Sequence, residues 1–349
     1  MSPILNVGVV GTGIFAKDRH LPSFQEMPEE FKVVAAFNRT KAKALTFGKL
    51  ADIPESKVYD TIDDLMRDPE VTFVDSLVPV QNNVTNVKKA IEHKKPILLE
   101  KPIAATMQQA RELVNLSEST DLPIGIAENW LYLNCIDVAK EHLKSIGPIV
   151  AFTHNSTGPF FSSNKYLVTS WRQNPEHIGG FLSDGGVHQL ALVTAILGEI
   201  DSVSALTTQV REASGTDDVV FSTVKMDSGV IGTFSYGSAF GSTDKSVFLK
   251  IYGKNGNILI DLCSKKELIV KVTVGSGGEV SPIITTINLP QDDSFGVNDE
   301  FLNFRQSVIK KDKKLFKGQP KAAFHHLACV DAFLKSSAKN GTNVKVEKY

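Results

Sequence analysis

The chain has 349 residues, more than one hydrophobic core ordinarily supports, so two domains are expected. With 42% hydrophobic and 22% charged residues it is neither disordered nor fibrous. Its 38 Lys and Arg nearly balance 39 Asp and Glu, leaving no field to draw it to nucleic acid or an anionic membrane, and a small-molecule partner is expected.

The opening MSPILNVGVVGTG runs straight into a strand, with no charged leader ahead of an apolar run. No stretch approaches the ~18 uncharged apolar residues of a membrane span. A cytoplasmic protein with no membrane partner is the expectation. Cys135, Cys263 and Cys329 lie far apart without a CxxC or Cys/His cluster, which supports neither a disulfide framework nor a zinc site.

Over residues 1–128, β-branched runs alternate with helical patterns, the signature of βαβ units on a parallel sheet. Strands are predicted at 5–10, 32–38, 73–78, 96–100 and 123–128, with a short one at 57–59. Helices are predicted at 40–50, 61–67, 82–93 and 106–119. After residue 128 the rhythm changes: a helix at 136–146 precedes strands at 150–155, 203–210, 218–225, 230–236, 246–252 and 257–262. Turn residues at 227–229 and 254–256 argue for antiparallel pairing. Helices at 180–197 and 321–339 complete a second domain, 129–349, of α+β class, the last of them able to pack back toward the first domain. The fold class is thus α/β, a Rossmann domain followed by an α+β domain.

The first strand leads into GTGIFA, a GxGxxA turn built on Gly11, Thr12, Gly13, Ile14, Phe15 and Ala16. Gly11 permits the tight turn, Gly13 leaves room for a pyrophosphate, and Ala16 lets the helix lie close to the strand. The helix start offers free N–H groups and its positive dipole end to that anion. At the end of the second strand an NAD site places a carboxylate for the adenosine ribose. This chain has Asn38, Arg39, Thr40, Lys41 and Lys43 instead. Arg39 and Lys43 suit a 2′-phosphate, to which Asn38 can donate, so NADP(H) is the expected cofactor.

The fifth strand ends in Glu100-Lys101-Pro102, at the carboxyl edge where open α/β sheets bind ligands. A lysine there can stabilise oxyanion charge at a reacting carbonyl. In GGFLSDGGVH, Asp184 and His188 are four residues apart and share a helix face, where the carboxylate can orient the imidazole for proton transfer.

These motifs, with ENW at Glu128–Trp130, WR at Trp171 and Arg172, and the closing KAAFHHLACVDAFLKSSAKNG, resemble the Gfo/Idh/MocA oxidoreductase family over nearly the whole chain. The resemblance implies a Rossmann domain followed by a large, mostly antiparallel open sheet whose outer face mediates homodimers or homotetramers. It places Lys101 beside the nicotinamide and gives proton transfer to Asp184 and His188. It assigns Asn129, Trp171 and Arg172 to the cofactor, and runs the loop Val78, Pro79 to Asn83 under it. The chain departs from the family pattern at Asn83, where a histidine is frequent, and at Ala191, where a polar residue is common.

The reading is an NADP(H)-dependent oxidoreductase acting on a small sugar, polyol or aldehyde. A cofactor-sensing regulator without turnover is the alternative, and oxidation-coupled elimination on a glycoside a third. Phe160, Phe161, Lys165 and Tyr166 are substrate-loop candidates by analogy. His20, His154, His325 and His326 are expected to serve packing, as are the aromatic rings of Trp130, Phe152 and Phe240. No metal is expected.

Overall fold

A computed structural model of the chain describes residues 3–163, 174–275, 277 and 281–349. It divides into two compact units, Met1–Asn129 with Gly296–Phe324, and Trp130–Phe295 with His325–Tyr349.

The first unit is built on six parallel strands: β1 (Leu5–Val10), β2 (Phe31–Phe37), β3 (Val58–Tyr59), β4 (Phe73–Ser76), β5 (Ile97–Glu100) and β6 (Ile124–Ala127). Their order, β3-β2-β1-β4-β5-β6, is that of a dinucleotide-binding Rossmann sheet, whose direction of winding reverses between β1 and β4. The strands read as unbroken apolar runs because both faces are covered. Helices α1 (Leu21–Glu26), α2 (Lys41–Leu50), α3 (Ile62–Arg67), α4 (Asn83–Glu92) and α5 (Met107–Glu118) belong to its crossovers. Thr61 and Thr106 cap α3 and α5 by accepting from the N–H of Asp64 and Gln109, which satisfies donors the helix start leaves orphaned. The sequence reading placed Gly296–Phe324 in the second domain, but this segment completes the first unit. Its helix, α8 (Val297–Lys310), sets Phe301 against Phe24 at 4.3 Å between ring centroids and Phe304 against Phe73 at 5.4 Å, closing an aromatic cluster over the sheet.

The second unit carries α6 (Cys135–His142), α7 (Phe181–Leu197), most of α9 (Pro320–Ser337) and a nine-stranded sheet. The strands are β7 (Ile149–Pro159), β8 (Ile200–Thr208), β9 (Val219–Met226), β10 (Ile231–Phe240), β11 (Ser246–Gly253), β12 (Gly256–Asp261), β13 (Glu267–Val274), β14 (Ile283–Pro290) and β15 (Val344–Lys345). All neighbours pair antiparallel except β7 with β10. Alternate residues of β11 and β13, including Leu249, Ile251, Val270 and Val272, are buried, as expected of a sheet with one covered face. On the open face Leu206 lies opposite Phe221, and both are exposed, as are Ile231 and Tyr252. Among the described residues no helix is long and apolar enough to cross a membrane, and no group of three His, Cys, Asp or Glu side chains is placed to hold a metal ion.

Candidate active site

In the first unit, five predicted segments meet at the carboxyl edge of the parallel sheet. Gly11 follows β1 with φ +94°, and a Cβ there would lie 2.3 Å from the carbonyl oxygen of Leu77 and 3.2 Å from Val78, so only glycine fits. Gly13 is the opposite case. It is exposed, and a Cβ on it would meet nothing within 4 Å. The space it faces is a cradle into which the following helical run, from Ile14, presents its first N–H groups. Thr12 is buried with no hydrogen-bond partner for its hydroxyl oxygen among the described residues. The geometry fits a dinucleotide pyrophosphate.

At the end of β2, Asn38 accepts from the Thr40 N–H at 2.9 Å through its Oδ1, which turns the chain into α2 and leaves the amide N–H groups to donate. Arg39 and Lys43 are exposed and form no ion pair among the described residues, whereas Lys41 is committed to Asp60 at 2.7 Å and to the Val58 carbonyl. Two unneutralised cations therefore stand at this edge.

The Glu100-Lys101-Pro102 turn follows β5, with a cis Lys101–Pro102 bond. Asn83, the first residue of α4, is buried and donates its amide to the Ile103 carbonyl at 3.1 Å and the Pro102 carbonyl at 3.4 Å. Its side chain holds the turn from beneath. Val78 is half-buried beside Gly11, Pro79 is exposed, and Asn129 closes the edge after β6.

Below the turn lies a cluster of ionisable groups that sequence reading missed. His20 is fully buried, with Nδ1 2.8 Å from Asp75 and Nε2 3.1 Å from Glu100. Burial alone would favour the neutral ring, but the two carboxylates outweigh it and lift its pKa to about 10. Glu300 of α8 accepts from the Glu128 N–H, and burial, reinforced by the Glu100 charge, pushes its pKa well above the usual carboxylate range. The available signal was Asp75: a carboxylate in the middle of a buried strand needs a cation.

In the second unit, Phe181, Asp184, Gly185 and His188 form the partly exposed strip of α7, at spacings of three and four, while Leu182, Val187, Leu190 and Ala191 are buried. The predicted Asp184–His188 face is therefore the face turned out of the core, and Ala191 occupies a position where a polar side chain would be buried. His188 stacks on Trp130 at 5.8 Å and 18°, so this indole supports an imidazole in addition to packing. Asp184 lines a cavity of about 350 Å³ with Thr157, Phe160, Phe181, Tyr236 and Lys245. The Tyr236 hydroxyl occupies the space a Cβ at Gly185 would take, which accounts for glycine in the helix. Burial, and then the charges of Asp184 and Asp218, raise the pKa of Tyr236, so it stays a neutral donor. Asp218 accepts from the N–H groups of Val210 and Arg211 and from the Ser214 hydroxyl, fixing the loop that supplies Ser214 to the wall. Trp171, Arg172, Lys165 and Tyr166 lie outside the described residues.

Residues 5–127 match the model of an oxidoreductase family's NAD-binding Rossmann fold, and residues 140–346 that of the same family's C-terminal alpha/beta domain, GFO_IDH_MocA in both cases. The chain belongs to the Gfo/Idh/MocA oxidoreductase family. Within this family it is 64% identical over all of its 349 residues to the uncharacterized protein YMR315W of Saccharomyces cerevisiae, whose full length is also covered. It is 28% identical over 201 residues, 56% of each chain, to D-apiose dehydrogenase of Rhizobium rhizogenes. A solved levoglucosan dehydrogenase in complex with NADH and L-sorbose shares the fold with a TM-score of 0.87 at 18% identity, over the whole of both chains. The protein is thus a Gfo/Idh/MocA oxidoreductase with a nicotinamide-dinucleotide Rossmann domain.

Proposed function

We propose that this oxidoreductase is an NADP(H)-dependent dehydrogenase or reductase of a small sugar, polyol or aldehyde. The observation that carries the cofactor choice is the pair of unneutralised cations, Arg39 and Lys43, beside Asn38 where an NAD site needs a carboxylate. Thr12, Gly13, Ile14 and Phe15 would hold the pyrophosphate end, with Val78, Pro79, Glu100, Lys101 and Asn129 along the cofactor's length. The sugar class is supported by D-apiose and levoglucosan dehydrogenases and by a cavity combining aromatic walls with Thr157, Ser214, Tyr236 and Asp184.

The bound nicotinamide supplies a hydride acceptor or donor at C4. Lys101 stabilises charge on the reacting oxygen. In the oxidising direction His188, which Asp184 would orient, would take the substrate's hydroxyl proton. The open face of the large sheet, with Leu206, Phe221 and Ile231, is assigned to a homodimer or homotetramer, and the three unpaired thiols suit the reducing cytoplasm.

The test is a titration with NADPH and NADH by fluorescence, followed by an absorbance assay against a panel of sugars, polyols and aldehydes. Lys101→Ala and His188→Ala should each lose ~10²-fold or more of turnover while keeping dinucleotide binding. Arg39→Ala combined with Lys43→Ala should weaken NADPH by about tenfold more than NADH. Full turnover in either alanine variant would overturn the roles, and tighter binding of NADH than NADPH by the parent would overturn the cofactor.

A further inference from the structure

The first unit spends a buried charge where an apolar residue would pack more simply. His20 lies in the π-helical segment Ala16–His20, one turn beyond the glycine cradle, and its partners come from β4 and from the end of β5. Asp75 is buried and Glu100 is the residue bonded to Lys101. The ring is enclosed by Phe15 at 5.2 Å, Phe301 at 5.0 Å and Phe24 at 6.5 Å, and the contact to Asp75 is buried with it. The ionisable groups around it are Asp75 on β4, Glu100 on β5, Glu128 after β6 and Glu300 on α8. His20 is the only cation among these five groups. π-Helical turns shift a helix face by one residue and recur at functional sites, and here the shift falls on the segment that carries His20.

We propose that His20 is a positioning residue for the reaction: donating from both ring nitrogens, to Asp75 and to Glu100, it fastens the Glu100–Lys101 turn to the helix of the phosphate cradle. The cradle and the turn that carries the lysine are then tied together through one side chain. This rests on the role given above to Lys101. A side chain that only filled space would need neither carboxylate, and a side chain that only neutralised Asp75 would not reach Glu100.

Two conservative variants separate the contacts. His20→Asn can keep a bond to Asp75 at the position of Nδ1 but cannot reach Glu100, whereas His20→Gln can reach Glu100 at the position of Nε2 and gives up Asp75. The readout is hydrogen exchange of the peptide that carries Glu100 to Ile103, followed by mass spectrometry on the full chain, together with kcat and KM on any accepted substrate. His20→Asn should speed exchange of that peptide by about tenfold while the strands of the sheet exchange as in the parent, and should lower kcat by about tenfold with a smaller change in KM for the dinucleotide. His20→Gln, which keeps the bond to Glu100, should restore much of the protection and of the rate. Glu100→Ala, which removes the acceptor, should loosen the same peptide, and this variant decides the matter if His20→Asn does not fold. Unchanged exchange of this peptide in His20→Asn, equal effects of His20→Asn and His20→Gln, or losses that follow melting temperature alone would overturn the proposal. The exchange measurement needs no substrate. A protein that turned over no carbonyl compound yet showed the loosened turn in His20→Asn and its recovery in His20→Gln would refute the functional reading and leave the tie between His20 and Glu100 standing.

Discussion

A histidine from each unit, His20 in the first and His154 in the second, is almost wholly buried, and the two are treated in opposite ways. His20 in the first unit lies between two carboxylates and is held charged, whereas His154 in the second bonds to Gln189 at 3.1 Å, stacks on Phe234 at 4.7 Å, and is pressed by burial to a pKa of about 4. Equal burial gives opposite charge states because the partners differ: an amide cannot repay the desolvation of an imidazolium, and two carboxylates can. The packing role expected of both histidines describes His154 and omits what His20 does.

The strongest way to break this contrast is to delete both rings. His20→Leu leaves the buried Asp75 and the half-buried Glu100 together without a cation and should cost ~3–5 kcal/mol in urea unfolding. His154→Leu loses a single neutral hydrogen bond and should cost ~1–2 kcal/mol. Equal costs would mean that the carboxylates do not depend on His20.

The pH dependence of stability should then differ in sign. The folded pKa of His20 is raised from 6.5 to about 10, so its contribution is complete below pH 6.5 and is lost as pH rises toward 10. His154 is depressed from 6.5 to about 4: below pH 6.5 the unfolded chain takes up a proton that the folded chain refuses, and stability falls until pH 4, by ~3 kcal/mol. Removing His20 should flatten the alkaline limb of the profile, and removing His154 the acid limb. Chemical denaturation at a series of pH values measures both.

Within the first unit, the two glycines of the turn sharpen the distinction between structure and binding. Gly11→Ala combines a positive φ with a backbone clash and should lower stability by ~2 kcal/mol or more. Gly13→Ala should stay within ~0.5 kcal/mol of the parent while weakening NADPH by roughly tenfold, since its methyl enters the cradle rather than the protein. A Gly13→Ala variant that bound NADPH normally would show that the cradle lies elsewhere.

How much of this was legible in sequence follows from the range of the interactions. The parallel strands were found to within two residues because each is a short, uninterrupted apolar run, and the glycine turn, the Glu100-Lys101-Pro102 turn and the Asp184–His188 pair are local patterns. β14 was missed because it is an edge strand with Ile283 and Ile284 exposed, so it shows no buried alternation. α8 was missed because Glu300 sits on its buried face between Val297 and Phe301, breaking the apolar period. The His20 contacts span 55 and 80 residues of chain, and the cavity wall draws on three strands, a helix and the loops between them, so neither has a spacing to read.

The return of Gly296–Phe324 to the first unit bears on how the protein is made. The aromatic cluster of Phe24, Phe31 and Phe73 lacks Phe301 and Phe304 until the chain that follows the large sheet has been made, so the Rossmann strands are synthesised well before the helix that seals them. Until that helix arrives the sheet cannot complete its own apolar packing, and incomplete packing of this kind is where larger chains misassemble.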